Sequence, residues 1–230
     1  SKDRGCSNLG WLESYHSFSF ANYVNPDKMN FGALRVLNDD IVDVGKGFGM
    51  HSHQNMEIIS IPLSGGLKHQ DNMGNRSIIQ KGDVQVMSAG TGIFHSEYNK
   101  NQDQEVQFLQ IWVILNKNNV EPRYDQITMS NLQKRNQLYQ ILSPTPEDNG
   151  VWIHQEAWFH LGDFDENKTQ TYEIKKAGNG VYTFVIEGKV TISGEKLESR
   201  DAIGIWDTQA IEILAENDSR FLIMDVPMIC

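Results

Sequence analysis

Two stretches decide the fold, GFGMHSHQNME at residues 47–57 and MSAGTGIFHSEYN at residues 87–99. The first contains His51-Ser52-His53, and the second contains His95-Ser96-Glu97. Residues two apart in a β-strand point to the same face of the sheet, so each pair can reach one centre on one side of its strand. Three neutral imidazoles and one carboxylate suit a borderline divalent transition-metal ion. The two pairs therefore predict a metal site built on β-strands.

Short apolar segments separated by glycine-centred turns surround the two pairs. The clearest candidates for strands are residues 56–63, 67–71, 76–80, 84–87 and 105–115. The segments 67–71 and 76–80 flank Asn72-Met73-Gly74-Asn75, which is a good hairpin connection. No long segment has the 3.6-residue period of a helix. We therefore predict an all-β barrel or sandwich.

Three segments are predicted to lie outside these strands. Residues 10–23 are rich in aromatic side chains without a clean period, which predicts a loop that covers apolar surface. Asn38-Asp39-Asp40 predicts a break between two short strands. Residues 116–150 are rich in Asn, Gln and Pro, with one candidate helix near 130–135. We interpret this last segment as the connection between two halves.

The second half repeats the strand-and-turn pattern of the first, which suggests an internal duplication. Gly65 matches Gly188, and Lys81-Gly82-Asp83 matches Ser199-Arg200-Asp201. These matches put the following residues at the positions of the four ligand candidates: Ile174, Lys176, Ile213 and Ala215. None of the four completes a ligand set, so we predict one metal site per chain.

Three further side chains bear on the site. Spacing alone cannot choose between Glu57 and Glu97 as the carboxylate ligand, because alternation from His53 puts Glu57 on the same face. His69 is open between a position beside the metal site and one on the surface. His16 has no partner pair, and we interpret it as a packed or hydrogen-bonded histidine rather than a ligand.

Composition limits the function classes. The chain has 230 residues, 39% of them hydrophobic and 22% charged, which fits an ordinary soluble globular protein. A formal net charge of -10 argues against direct binding to nucleic acid or to anionic membranes. The first twenty residues contain no apolar segment typical of a signal peptide. Cys6 and Cys230 form no disulfide framework, so we expect a cytoplasmic protein.

The residues around both pairs resemble the cupin superfamily. Gly45-x5-His51-x-His53-x3-Glu57 resembles its first motif, and His95-x3-Asn99 resembles its second. Ser88 stands where the second motif has proline, a departure shared by the pirin family. That family is also resembled at residues 10–23 (GWLESYHSFSFANY), 69–75 (HQDNMGN) and 121–126 (EPRYDQ). The resemblance covers nearly the whole chain and is closest to bacterial pirin-like quercetin 2,3-dioxygenases.

The resemblance implies a bicupin, in which two β-barrel (double-stranded β-helix) domains pack together. Residues 1–118 would form the metal-binding domain, and residues 119–230 a degenerate domain without metal ligands. The implied ligands are His51, His53, His95 and Glu97. The family's metal is iron(II), although zinc, nickel, cobalt, manganese or copper could take such a site. The resemblance thus selects Glu97 as the carboxylate ligand and leaves Glu57 in the pocket.

The resemblance also implies a reaction. Bacterial members open the central ring of flavonols such as quercetin with dioxygen and release carbon monoxide. Glu97 would accept the proton of the substrate hydroxyl and is the expected catalytic residue. The expected pocket residues are Phe48, Met50, Glu57, Ile93 and Phe94. The alternative from another class is a non-catalytic metal-binding redox sensor or regulatory binding protein, whose protein partner is unknown.

Overall fold

The computed structural model describes residues 3–228 and is built almost entirely from β-strands. The strands of the first half are β1 (Gly5–Asn8), β2 (Leu12–His16), β3 (Leu34–Val42), β4 (Gly47–His53), β5 (Met56–Ser64), β6 (Gly66–Asp71), β7 (Arg76–Gln80), β8 (Asp83–Ser88), β9 (Ile93–Asn99), β10 (Val106–Ile114) and β11 (Arg123–Thr128). A 3₁₀ turn at Met129–Asn131 follows, where a short helix near 130–135 was predicted.

The second half continues the pattern. Its strands are β12 (Leu138–Ser143), β13 (Val151–Trp152), β14 (Trp158–Phe164), β15 (Lys168–Glu173), β16 (Asn179–Glu187), β17 (Lys189–Ile192), β18 (Glu195–Glu198), β19 (Ala202–Ile205), β20 (Ala210–Ala215) and β21 (Ser219–Pro227). Within residues 3–228, no helix is long and apolar enough to cross a membrane. Cys230 lies outside the described residues, and Cys6 is an exposed free thiol.

Four sheets form two barrels. The first barrel combines a seven-stranded sheet, β1-β2-β3-β10-β5-β8-β11, with a four-stranded sheet, β4-β9-β6-β7. The second combines a six-stranded sheet, β13-β12-β14-β21-β16-β19, with a four-stranded sheet, β15-β20-β17-β18. The predicted all-β fold with two packed barrels is confirmed.

The largest apolar cluster lies between the two barrels. It takes side chains from the seven-stranded sheet, such as Leu109 and Ile111, and from the six-stranded sheet, such as Phe159 and Leu222. All four are fully buried. Because side chains alternate between the faces of a sheet, the opposite face of the seven-stranded sheet remains free to line its own barrel.

The strand orders show the internal duplication directly. The central order β3-β10-β5-β8 recurs as β14-β21-β16-β19, and β4-β9-β6-β7 recurs as β15-β20-β17-β18. The matched turn residues also share a left-handed backbone, with φ of 67° at Gly65, 76° at Gly188, 98° at Gly82 and 70° at Arg200. The turn geometry was therefore retained at Arg200, where the residue is not glycine.

The structure aligns the second half with the first at positions two residues away from the predicted ones. His69 pairs with Glu97 in the first barrel, and Ile192 pairs with Ile213 in the second. The pairs His51–His95 and Tyr172–Ile211 then correspond. The structural equivalents of the ligand candidates are therefore Tyr172, Ile174, Ile211 and Ile213. The segments between the matched turns and these strands differ in length, which a match on the turns alone does not detect.

All three segments predicted to lie outside the strands contain strands, and residues 116–150 contain β11 and β12. Asn38, Asp39 and Asp40 lie inside β3, where each residue pairs with β2 on one side and β10 on the other. The predicted break is therefore wrong, because strands distant in sequence pair with this polar segment on both sides. Residues 10–23, predicted as a loop, contain β2, which pairs with both β1 and β3.

The strand β11 lies after the predicted domain boundary at residue 118. It pairs with β8 along its whole length, from Arg123 opposite Ser88 to Thr128 opposite Asp83. It is thus the edge strand of the first barrel's sheet. Two polar contacts also link the barrels. Arg200 Nε lies 2.9 Å from Asp39 Oδ2, and the amide of His154 donates to Glu57 Oε1 at 3.0 Å.

Leu109→Ala should destabilise the protein by about 2 to 5 kcal/mol, because it leaves a cavity in the cluster between the barrels. The measurement is the free energy of unfolding from a guanidinium titration. Leu9→Ala is the matched control, because Leu9 is 61% exposed, and it should change this free energy by less than about 0.5 kcal/mol. Equal effects of both substitutions would contradict the assigned core.

Candidate metal centre

The strands β4 and β9 pair so that two of the predicted ligands lie opposite each other. His51 pairs with His95, and Phe48 pairs with Glu97. A β-bulge lies between Phe48 and His51, where β4 contains one more residue than its partner. Without the extra residue, the alternation of side chains along β4 would turn His51 and His53 to the other face.

Gly47 lets β4 approach β9 closely beside the bulge. A Cβ atom at Gly47 would collide with the carbonyl oxygen of Glu97 and with the backbone of Tyr98. The close approach therefore requires glycine here, which explains the glycine at the start of this strand.

The three histidines of the two pairs come together on the barrel's inner side. Their ring centroids are 4.4 Å apart for His51–His95, 4.7 Å for His51–His53 and 4.9 Å for His53–His95. One nitrogen from each ring lies within 4.8 Å of the other two. His51 Nδ1 is 2.7 Å from the carbonyl of Gly49, to which it donates, so Nε2 keeps its lone pair for a metal.

Glu97 belongs to a second trio that shares His95. A carboxylate oxygen of Glu97 lies within 4.8 Å of donor nitrogens of His69 and His95. Ser60 Oγ donates to Glu97 Oε1 at 3.0 Å. Within residues 3–228, Glu97 Oε2 and both ring nitrogens of His95 are buried and have no hydrogen-bond partner. Buried polar atoms without partners are costly, so Glu97 Oε2 and one ring nitrogen of His95 fit the donor set of an ion.

The protonation states also fit a divalent cation. Burial lowers the pKa of His53 to about 4, with the neighbouring His51 adding to the effect. Burial, with smaller contributions from the three neighbouring histidines, lowers the pKa of His95 to about 2. At neutral pH both rings are therefore neutral and offer lone pairs, as metal binding requires. Burial raises the pKa of Glu97, against the opposing effects of His69 and Ser60.

His69 is buried beside this centre. Of the two positions that the sequence left possible, the structure shows the one beside the site and not the one on the surface. Its Nε2 lies 3.2 Å from Asp71 Oδ2 and donates to it. Its Nδ1 is buried and has no hydrogen-bond partner in the described part of the chain. A carboxylate that holds one nitrogen of a histidine fixes the tautomer and orients the ring. Asp71 thus directs the Nδ1 lone pair of His69 toward the side of Glu97 and His95.

Glu57 is separated from the histidines by a turn. β4 ends at His53, Asn55 has a φ of 48°, and Glu57 lies on β5 in the other sheet. Ser88 Oγ donates to Glu57 Oε2 at 2.7 Å, and the amide of His154 donates to Oε1. Alternation from His53 fails as an argument because the turn interrupts the strand. Glu57 instead links the two barrels, through its hydrogen bond from the amide of His154.

A cavity of about 630 Å³ opens beside the histidine trio, within the range of about 300 to 1,000 Å³ found for small-molecule sites. His51 and His53 form part of its wall. Its aromatic lining consists of Trp11, Phe20, Phe48 and Trp112. Its polar lining includes Ser14, His16, Asp40 and Gln110. The cavity can therefore hold a flat aromatic molecule next to a metal.

Only one of the five predicted pocket residues, Phe48, lines this cavity. Met50 and Phe94 are 55% and 52% exposed, because they alternate with the histidines and point to the opposite face. Ile93 is fully buried in an apolar cluster, and Glu57 lies at the barrel junction. Sequence reasoning missed Trp11, which lies just before β2, and Trp112 on β10; their only signal was a large aromatic side chain.

A row of buried polar side chains crosses the inner face of the seven-stranded sheet opposite the centre. Strand pairing places its members side by side: His16, Asn38, Gln110, Ser60 and Gln85. The row separates two apolar clusters within the barrel. One member donates to Glu97, so the row supports the carboxylate from behind. His16 bonds through both ring nitrogens, to Ser7 and Asn38, as a hydrogen-bonded histidine rather than a ligand.

Family models match both halves of the chain. One described as Pirin matches residues 1–113, and one described as Quercetinase C-terminal cupin domain matches residues 140–226. The quercetin 2,3-dioxygenase of Escherichia coli (strain K12) is 43% identical over 225 residues, which cover 98% of this chain and 96% of the relative. A pirin-like protein of Caulobacter vibrioides is 36% identical over 222 residues, with 96% and 95% covered.

Solved structures agree with these matches. The crystal structure of bacterial pirin YhhW from Escherichia coli in complex with nickel(II) superposes with a TM-score of 0.92 at 41% identity. The match covers 98% of this chain and 96% of that one. A protein with the same fold and a closely related sequence thus holds a divalent transition-metal ion.

Glu97→Gln should weaken the binding of Ni²⁺, because an amide oxygen carries no negative charge toward the ion. Glu57→Gln should leave Ni²⁺ affinity unchanged. It should lower the free energy of unfolding by about 1 to 3 kcal/mol, because the Ser88 hydroxyl and the His154 amide lose a charged acceptor. Titration calorimetry and thermal melts measure the two effects. A loss of Ni²⁺ affinity in Glu57→Gln would return that residue to the ligand set.

His69→Phe should lower Ni²⁺ affinity by about 10- to 100-fold, because it removes a nitrogen donor that lies within 4.8 Å of donor atoms of His95 and Glu97. The phenyl ring fills a similar volume and removes both nitrogens. His154→Phe is the matched control, because His154 is half-buried outside the cavity lining. Competition with a chromophoric chelator measures both affinities, and unchanged binding in His69→Phe would exclude a supporting role.

Proposed function

The chain belongs to the pirin family, and on that premise we propose that it is a metal-dependent dioxygenase that opens the central ring of a flavonol such as quercetin with dioxygen and releases carbon monoxide. The observation that carries the proposal is an aromatic cavity whose wall includes His51 and His53, two of the three histidines whose donor atoms converge. Relatives named quercetin 2,3-dioxygenase match over nearly the whole chain and supply the reaction.

We assign the ion to His51, His53, His95 and Glu97. The donor set is nitrogen and oxygen with one negative charge, which suits iron(II) and also accepts nickel, cobalt, manganese, copper or zinc. A bound divalent ion would act as a Lewis acid that polarises the flavonol 3-hydroxyl oxygen and lowers its pKa. The three histidines approach from β4 and β9, and the side toward the cavity remains for substrate.

Glu97 is the assigned proton acceptor. Its Oε2 atom is buried without a hydrogen-bond partner among residues 3–228, whereas Oε1 is held by Ser60. Ser60 therefore holds one oxygen and the other is available to the ion, and the carboxylate would take the proton that the substrate hydroxyl gives up while it stays at the ion. Burial raises the pKa of this carboxyl, which favours proton uptake.

The aromatic wall would hold the flat rings and keep water out. The rings of His53 and Trp112 have centroids 5.0 Å apart, and those of Trp11 and Phe48 are 5.6 Å apart in an edge-on arrangement. Planar substrate rings pack well against such faces and edges. A lining of this kind excludes water from the reacting atoms, which strengthens the local electrostatic interactions.

The test uses protein stripped of metal and reloaded anaerobically with iron(II). After dioxygen is admitted, the loaded protein should bleach the long-wavelength absorbance of quercetin and release carbon monoxide in equal amounts. His53→Ala should abolish both signals, whereas His154→Ala, which removes a histidine outside the cavity, should retain them. If the loaded wild-type protein gives neither signal, the dioxygenase proposal fails and a non-catalytic metal-dependent binding protein becomes the better reading.

A further inference from the structure

Asp40 is a buried carboxyl group that lines the cavity. It lies on β3 in the seven-stranded sheet, and its exposed fraction is 2%. The histidine pair on β4 belongs to the facing four-stranded sheet and lines the same cavity. Asp40 and the metal centre therefore stand on different walls of one space. A molecule bound at the metal can present its remote end to Asp40.

The carboxyl group has only part of its hydrogen-bonding capacity filled. Ser14 Oγ donates to Asp40 Oδ1. Within residues 3–228, Asp40 takes part in no ion pair and accepts no other side-chain hydrogen bond. Its neighbour Asp39 is the contrasting case, because it pairs with Arg4 and Arg200 and accepts from Gln107. On this strand, Asp39 is therefore paired with arginine side chains, whereas Asp40 has no cationic partner among residues 3–228.

His16, which shares the Ser14 hydroxyl with Asp40, does not supply the missing charge. His16 Nδ1 lies 2.9 Å from Asn38 Oδ1 and donates to it, and Nε2 lies 2.9 Å from Ser7 Oγ and accepts from it. Both nitrogens are therefore occupied in the neutral form. Burial lowers the pKa of His16, which favours that form.

An unpaired carboxyl in such a place is costly to the fold. Burial, with smaller contributions from the nearby Asp39 and Glu97 carboxylates, raises the pKa of Asp40 to about 7 against the lowering effect of the Ser14 hydrogen bond. Buried acids without a cation usually lower stability, so a group of this kind in a cavity marks a candidate binding function. The aromatic side chains that line the cavity donate no hydrogen bond to Asp40, so its carboxyl group can accept a hydrogen bond from a molecule in the cavity.

We propose that Asp40 selects substrates that carry a hydroxyl group remote from the metal-bound oxygen, by accepting a hydrogen bond from that hydroxyl. The inference rests on the proposed function, because it assumes that a flavonol binds with one oxygen at the metal. Anionic groups would be repelled by Asp40 and Glu97, and a cationic group would be repelled by the ion. A neutral hydroxyl donor avoids both penalties. Asp40 is thus a specificity residue and not a proton acceptor in ring opening.

The experiment measures binding without turnover. Ni²⁺-loaded protein is titrated anaerobically with quercetin and with 3-hydroxyflavone, whose only hydroxyl is the one at the metal-binding position. Quenching of tryptophan fluorescence reports binding, since Trp11 and Trp112 line the cavity. The measured quantity is the ratio of the two dissociation constants, compared between proteins as in a double-mutant cycle.

The wild-type ratio should favour quercetin by about tenfold more than the ratio in Asp40→Ala, as expected for the loss of one buried hydrogen bond. Asp40→Asn keeps the shape and should fall between the two. Asp43→Ala removes a carboxyl near the end of the same strand but outside the cavity lining, and it should keep the wild-type ratio. Equal Ni²⁺ content and melting temperatures at or above that of wild type confirm that the Asp40 variants fold.

The outcomes separate the inference from the proposed function. An unchanged ratio in Asp40→Ala, or an equal weakening of both ligands, overturns the role of Asp40 while quercetin turnover by the wild-type protein still supports the dioxygenase. If the wild-type protein binds neither flavonol, the proposed function and the inference both fail.

Discussion

The antiparallel pairing of β9 between β4 and β6 is the interaction on which the centre depends. It sets His51 opposite His95 on one side and His69 opposite Glu97 on the other. Backbone hydrogen bonds hold this register and bring the side chains together. The bulge in β4 is part of the same constraint, because it turns both histidines of that strand inward. The metal site is thus a property of strand register rather than of loop conformation.

A site of this kind places polar groups where a barrel would otherwise hold apolar ones. The row from His16 to Gln85 crosses five neighbouring strands of the first barrel in its interior. Buried polar groups need partners, and several atoms here, such as Asn38 Nδ2 and Gln85 Oε1, have none among residues 3–228. The large apolar cluster between the barrels offsets this cost. Stability and chemistry therefore use opposite faces of the same seven-stranded sheet.

The sequence predicts what depends on local alternation and misses what depends on distant partners. His51 and His53 share a face because of a two-residue period, so their convergence could be expected. Asp40 could not be placed, because a polar run usually marks a turn and its partner Ser14 comes from another strand. Glu57 was misplaced since alternation was carried across a turn. The cavity wall escaped prediction because Trp112 enters it from β10, far from both motifs in the chain.

The second barrel shows what the same framework becomes when it carries no donor set. Tyr172, Ile211 and Ile213 fill the positions of the metal ligands and belong to a closed apolar cluster, with Ile174 packed against it. Tyr172 donates its hydroxyl to Asp225 at 3.0 Å, so even its polar atom is satisfied. The two copies of the unit therefore differ in role. The first carries the candidate metal ligands, and the second carries an apolar core at the same positions. One copy can hold reactive, imperfectly satisfied groups because its twin, joined to it across a broad apolar contact, retains the packing that keeps the pair folded.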